Sequence, residues 1–380
     1  MDTIIQLSGF GDTILGYLLP FLFVLTVVVF VHELGHFLVA RWCGVGVKTF
    51  SIGFGPEIVG LTDRHGTRWR LSWIPLGGYV KFIDDENAAS AGQKSLEKLS
   101  PEERKLSFQG KPLSQRAAVV AAGPIANFIL AILIFTAVFT FFGERTTAAK
   151  VDVVTAGSAA EKAGFLAGDR VISIDGQKIE SFSEMQRIVA TSPDQPLHFV
   201  VERDGRSVEL TAIPERKEIT DHFGNVIRLG LLGIQRSASP DDWTLKRHDP
   251  VTAFGMALKE TWFVVSRSLG YLYDVVTGRE SADQLGGPIR IAQVSGQVAT
   301  AGFIALLNLA AIISVSIGLL NLFPIPMLDG GHLLFYSIEA IRGRPLSETT
   351  QEIGFRIGLA FVLMLMLFAT WNDLIHLKFL

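Results

Sequence analysis

Cysteine is almost absent: of 380 residues only Cys43 carries a thiol, which excludes an internal disulfide and a thiolate-rich zinc cluster. Any bound metal must then be held by histidine or carboxylate. Basic residues are missing from the start of the chain, the first being Arg41. The N-terminus therefore lacks the basic n-region of a cleaved signal peptide, and the apolar run from Ile14 to Ala40 reads as a retained transmembrane helix. Charge is scarce overall, with 19% charged against 49% hydrophobic residues, and the formal net charge of -3 provides no basic field. That balance argues against nucleic acid as a partner and describes a membrane protein diluted by a polar middle.

What the first apolar run does contain is His32-Glu33-Leu34-Gly35-His36. On a helix the two imidazoles lie four residues apart on one face and can share a metal ion, with Glu33 beside them as a proton acceptor for the attacking water. This pattern in a lipid-embedded helix points to hydrolysis inside a membrane. A hydrolytic metal needs three protein donors and an open fourth position. The outstanding candidate for the third donor is Asp329, in Asn321-Leu322-Phe323-Pro324-Ile325-Pro326-Met327-Leu328-Asp329-Gly330-Gly331. An ionised carboxylate in apolar surroundings costs about 2.5–3.5 kcal/mol on insertion scales and needs a partner. Two readings compete with it: Asp329 as a helix-end cap, and His332 as the donor instead. Pro324 and Pro326 forbid regular helix before Asp329 and leave an extended stretch suited to holding substrate.

Four spans follow from hydropathy: Ile14 to Ala40, Ala117 to Phe142, Ile304 to Phe323 and Ile357 to Trp371. Twelve lysines and arginines from Arg41 to Arg116 crowd the first loop, which the positive-inside rule makes cytoplasmic. Both termini and the long polar region between the second and third spans then face the opposite side. In the first loop Arg68, Arg70 and Ser72 alternate with Trp69, Leu71 and Trp73 before Ile74-Pro75-Leu76-Gly77-Gly78 turns the chain into Tyr79 to Phe82. A membrane-associated β-hairpin is expected there, whose edge, with Trp73, Gly77 and Gly78, would meet an unwound substrate; a surface hairpin that only packs on the protein is the competing reading.

In the polar region, strands are expected at Val151–Thr155 and Val171–Ile174, a helical turn at Ser158–Ala163 and a helix at Phe182–Ala190. A hairpin of Leu197–Arg203 and Ser207–Ile213 around Asp204-Gly205 follows. The run from Gly157-Ser158-Ala159-Ala160 through Ala163-Gly164-Phe165 and Gly168-Asp169-Arg170-Val171 to Asp175-Gly176 resembles one PDZ domain in the permuted bacterial order. Strand addition of a peptide or substrate ectodomain is its implied use, whether to read a newly exposed terminus or to filter substrates by size, and a passive soluble cap is the competing reading. Ala253 to Thr277 reads as an interfacial amphipathic helix, and Gly286-Gly287-Pro288-Ile289 as a hinge or docking loop. The expected division is 1–147 for the first two spans and hairpin, 148–236 for the PDZ domain, 237–298 for the amphipathic helix and docking loop, and 299–380 for the last two spans.

Together these residues resemble the site-2 protease family (peptidase family M50) of intramembrane zinc metalloproteases. The resemblance rests on His32-Glu33-Leu34-Gly35-His36, Leu328-Asp329-Gly330 within the Asn-x-x-Pro segment, Gly53-Phe54-Gly55-Pro56, Gly123-Pro124-x-x-Asn127 and the inserted PDZ pattern. It implies one zinc ion per chain on His32, His36 and Asp329, Glu33 as general base, Asn321 near the substrate backbone and the hairpin as a guide for substrate. It also implies an inner-membrane enzyme with its termini and PDZ domain in the periplasm and its active site toward the cytoplasm. Its substrates would be single-pass proteins in the lipid, such as anti-sigma factors already trimmed outside in a stress response, and leftover signal peptides. The chain departs from the family's best-known member in carrying one PDZ pattern rather than two. The competing class is a non-catalytic, zinc-dependent membrane adaptor that binds partners through its PDZ domain; a metal transporter would need a polar chain across the bilayer, which the spans lack.

Overall fold

The computed structural model describes residues 2–85, 100–220, 226–237, 242–279, 281–282 and 285–376. Lys94 and Lys98 of the basic loop, and His222, lie outside them. The chain divides into two compact units, one of Met1–Val138 with Pro250–Leu380 and one of Phe139–Asp249.

The first unit begins with α1 (Asp2–Trp42). Its Val27-Val28-Val29 run is a weak helix former in water, but in lipid the helix alone satisfies its backbone. The chain continues into β1 (Val47–Thr62), β2 (Arg68–Phe82), α2 (Pro101–Leu106) and α3 (Leu113–Ala137), which ends in a π turn at Val138–Phe142. Gly35 sets the separation of α1 and α3: a β-carbon there would lie 2.7 Å from Ala126 Cβ, so small residues bring the two backbones together.

The hairpin differs from expectation in its partner. The arms Arg68–Leu71 and Gly78–Phe82 do not pair with each other; both flank β1. Val47–Ile52 runs against Phe82–Gly78, while on its other side Thr49–Ile52 lies beside Arg68–Leu71. Residues Glu57–Thr62 then pair with Ser72–Arg68. Each long strand folds back on itself where glycines take positive φ, Gly53 (85°) and Gly55 (87°) in β1 and Gly77 (132°) in β2. The expected turn at Ile74–Gly78 is therefore present, but a strand lies between its arms. Phe50, buried in the centre, packs on Phe37 and Phe30 of α1 and on Trp69.

The second unit carries β3 (Glu144–Thr146), β4 (Val153–Val154), α4 (Ala159–Lys162), β5 (Arg170–Ile174), β6 (Gln177–Lys178), α5 (Phe182–Ala190), β7 (Leu197–Arg203), β8 (Arg206–Ala212), β9 (Glu215–Thr220), β10 (Val226–Leu231), β11 (Ile234–Gln235) and β12 (Thr244–Lys246). Its main sheet has the order β6-β5-β7-β8. Leu197, Phe199 and Val201 alternate inward onto a core with Val171, Ile174, Met185 and Val189. Asp204 and Gly205, with φ of 50° and 75°, form the expected two-residue turn.

Asp169 is buried and grips Arg203 through two hydrogen bonds of 2.7 Å. Burial pushes its carboxyl up, but the bonds from Arg203 and the Leu166 amide and the guanidinium charge outweigh this and hold it below the usual carboxylate range. A depressed folded-state value contributes stability that is present above the unfolded value near 3.9 and is lost as pH falls through the folded one. Asp169→Asn is expected to lower the urea midpoint for proteolytic nicking between residues 150 and 203 at pH 7, at a cost of about 1.5–3 kcal/mol. The wild-type midpoint should fall toward the variant's only below about pH 4.

The first unit resumes with α6 (Pro250–Val276), α7 (Pro288–Thr300), α8 (Phe303–Asn321), α9 (Asp329–Arg342) and α10 (Glu348–His376). Among the described residues four helical stretches are long and apolar enough to cross a membrane: Leu15–Trp42, Leu113–Phe142, Phe303–Asn321 and Thr349–Ile375. The helix α6 is not one of them. It buries Ala253, Ala257 and Thr261 at four-residue spacing and exposes Phe254, Leu258 and Trp262.

Two expectations need correction. The last apolar helical stretch runs Thr349–Ile375, beyond Ile357 to Trp371 at both ends; of the charges bounding that run, Arg356 pairs with Glu352 at 2.6 Å, and buried Asp373 accepts from the Gly287, Ile289 and Arg290 amides. The Gly286–Ile289 break is the start of a further helix, α7, with Gly287 at its N-cap and Pro288 in its first turn.

Candidate metal centre

The helix α1 places His32 and His36 one turn apart with their Nε2 atoms 3.2 Å from each other. Asp329 arrives from the first residue of α9, its Oδ2 lying 3.2 Å from His32 Nε2 and 3.5 Å from His36 Nε2. Four donors around zinc at 2.0–2.1 Å in a tetrahedron stand about 3.3–3.4 Å apart, so this triangle has the dimensions of one tetrahedral face. Asp329 Oδ2 is buried without a hydrogen-bond partner, which is costly unless a cation meets it. The donor set, two imidazoles and a carboxylate, suits zinc. His36 Nδ1 lies 2.8 Å from the Val119 carbonyl, and donation along that bond leaves the Nε2 lone pair facing the triad.

Local sequence explains how Asp329 reaches this point. Pro324 and Pro326 cannot donate backbone hydrogen bonds, and the chain between α8 and α9 crosses in a tight loop with Met327 at φ 88°. Gly330 and Gly331 pass under the Leu322–Pro326 backbone, where any β-carbon would collide. Leu328, not Asp329, is the N-cap, and no side chain caps the helix. The capping alternative for Asp329 therefore has no geometric support. His332 packs instead on Phe355, with ring centroids 5.1 Å apart, and is not in the donor cluster.

Glu33 lies beside the triad and interacts electrostatically with His32, His36 and Asp329. The edge segment of β2 runs past it: a β-carbon at Gly78 would stand 3.2 Å from Glu33 Cγ. The other expected substrate contacts are more dispersed. Gly77 packs on the Phe54 ring, and Trp73 projects from the hairpin, 68% exposed. Asn321 donates back to Ile317 O of its own helix at 3.1 Å, and Pro324 sits in the loop before Asp329.

One supporting element was not legible as such. On α3, Arg116 pairs with Glu339 of α9 at 2.5 Å and lies over the Tyr336 ring, Val119 accepts from His36, and Gly123 lies under both imidazoles. The Gly123-Pro124-x-x-Asn127 motif was the signal for Gly123, while Val119 and Arg116, one and two turns before it, carried none. A β-carbon at Gly123 would collide with the His36 ring and stand 2.9 Å from His32 Nε2. Gly123→Ala is expected to weaken zinc retention at least about tenfold, the size of effect seen when the surroundings of a metal ligand are disturbed. Metal analysis after dialysis against a chelator series would measure it, and wild-type retention would contradict the geometry.

Comparison with known proteins gives one consistent answer. The model of Peptidase family M50 matches residues 20–365. A candidate zinc metalloprotease of Agrobacterium fabrum is 51% identical over 375 residues, covering 98% of this chain and 99% of its own. A metalloprotease of Caulobacter vibrioides is 42% identical over 380 residues, covering 94% and 95%. The regulator of sigma-E protease of Salmonella typhimurium is 32% identical over 458 residues, covering 95% and 99%.

Proposed function

Because the chain belongs to peptidase family M50, the site-2 proteases, and is a zinc metalloprotease of the membrane, we propose that it hydrolyses peptide bonds inside the transmembrane segments of single-pass proteins. The observation that carries this reading is the location of the donor triad: two of its members sit on a helical stretch long and apolar enough to cross a membrane, Leu15–Trp42. His32, His36 and Asp329 hold the zinc, which when bound supplies a Lewis acid for the scissile carbonyl and the attacking water. Glu33 takes the proton from that water and returns it to the leaving amine.

A helical substrate hides its carbonyls in its own hydrogen bonds, so it must be held extended to be cut. The edge of β2 at Gly78–Phe82 offers backbone groups for strand pairing beside Glu33. Gly77, Gly78 and Trp73 guide the substrate along the hairpin, with Pro324 in the loop before Asp329 and Asn321 at the end of α8, whose amide would have to leave Ile317 O to reach the substrate backbone. The twelve basic residues of the first loop support a cytoplasmic active site, with both termini and the 139–249 unit in the periplasm of the inner membrane.

In that unit a cavity of about 740 Å³ between α5 and Leu229–Gln235, lined by Phe182, Met185 and Val189, supports the reading of a single PDZ domain that receives an extended peptide. The Salmonella relative is named a regulator of sigma-E protease; in keeping with the family resemblance, an anti-sigma factor already trimmed on its outer side is the substrate class we propose, in a stress response. Remnant signal peptides are the other substrate class in keeping with this chemistry. The adaptor alternative would require a closed set of four donors, whereas three cluster among the described residues. Reconstituted wild-type protein is expected to cleave a single-pass protein and to stop when a chelator is added; zinc retention without cleavage of any single-pass protein would favour the adaptor.

A further inference from the structure

The two imidazoles of the triad are not held alike. His36 has the Val119 carbonyl behind its Nδ1, but behind His32 Nδ1 stands the side-chain amide of Asn127, 3.2 Å away and fully buried. A neutral imidazole that offers Nε2 to a cation carries its proton on Nδ1, and that N–H needs an acceptor. With the amide nitrogen of Asn127 toward the ring, the ring proton would move to Nε2, into the space shared with His36 and Asp329. The two amide orientations have the same shape, so the hydrogen-bond requirements decide between them. We propose that Asn127 is a positioning residue of the zinc site: its Oδ1 accepts from His32 Nδ1–H and thereby fixes the tautomer and the aim of Nε2.

The placement of Asn127 is well braced. Ser314 Oγ of α8 donates to the Asn127 carbonyl at 2.8 Å. Gly318, one turn further along α8, lies so close that a β-carbon there would stand 3.1 Å from Asn127 Cβ. Asn127 also continues the face of α3 that carries Val119 and Gly123, so one helix supports both histidines. Nothing else among the hydrogen bonds of the described residues reaches His32 Nδ1. The inference rests on His32 as a zinc donor.

The test uses the full-length protein in detergent and a chelator competition that reads zinc affinity independently of cleavage. Asn127→Leu and the smaller Asn127→Ala are expected to weaken zinc about 10–100-fold, with the thermal transition of the zinc-free protein unchanged. Asn127→Asp, which still accepts from Nδ1–H, should stay within a few-fold of wild type. With saturating zinc, cleavage by Asn127→Ala should recover with KM unchanged. Wild-type zinc affinity in Asn127→Leu and Asn127→Ala would overturn the proposal, as would an Asn127→Asp variant that loses zinc as severely as they do. His32→Ala separates the two levels: if it keeps zinc, the donor assignment is wrong. If it loses zinc while Asn127→Ala does not, only the role of Asn127 falls.

Discussion

Glu33→Gln is expected to bind zinc as the wild type does and to lose cleavage by about 10²–10⁴-fold, the range contributed by a positioned general base. The substitution keeps the shape of the side chain and its place beside the β2 edge near Gly78, so folding and substrate pairing should survive. What it removes, on the proposed mechanism, is the acceptor for the proton of the attacking water. Because Glu33 is not a member of the donor triad, its loss should leave metal content intact. Paired measurements of zinc stoichiometry and turnover on one single-pass substrate check this. Substantial turnover by the purified variant would remove Glu33 from its role, and loss of zinc would make it a ligand.

The second large effect is expected at Asp329. Asp329→Asn preserves the volume of the side chain but removes the one negative charge among the three donors, and the amide is a poor metal ligand. Zinc affinity should fall by more than the 10–100-fold typical of losing a supporting group, and cleavage should vanish with it. The variant also discriminates between roles. Were Asp329 only a cap for α9, asparagine would serve nearly as well and zinc would be retained. The geometry favours the metal role, since Leu328 occupies the cap and Asp329 Oδ2 points at both histidines. A chelator titration of the variant reads the outcome directly.

The parts of this molecule that were legible in its sequence are those where one local pattern carries the physics. The His32–His36 spacing, the cost of an unpaired Asp329 in apolar surroundings and the inward alternation of Leu197, Phe199 and Val201 are all of this kind. The Asp204-Gly205 turn and the helix Phe182–Ala190 follow from equally local rules. What escaped depends on distant partners. The hairpin arms at Arg68–Leu71 and Gly78–Phe82 alternate as expected, yet the strand between them, Thr49–Ile52, comes from residues before the turn. The last apolar helical stretch continues past Arg356 and includes Asp373, whose carboxylate is met by the α7 amides, partners that hydropathy along the chain does not register. The sequence flagged Gly123-Pro124-x-x-Asn127 as a motif, but what it does, lying against the imidazoles on α1, needs the distant helix to be placed beside it.

The most direct test of intramembrane hydrolysis is cleavage-site mapping by mass spectrometry. Zinc-loaded wild type and Glu33→Gln would each be reconstituted in lipid with a single-pass substrate already trimmed on its outer side. A cut within the apolar segment of the substrate, present with wild type and absent with Glu33→Gln, is the expected result. A cut confined to the polar flanks of that segment would contradict it.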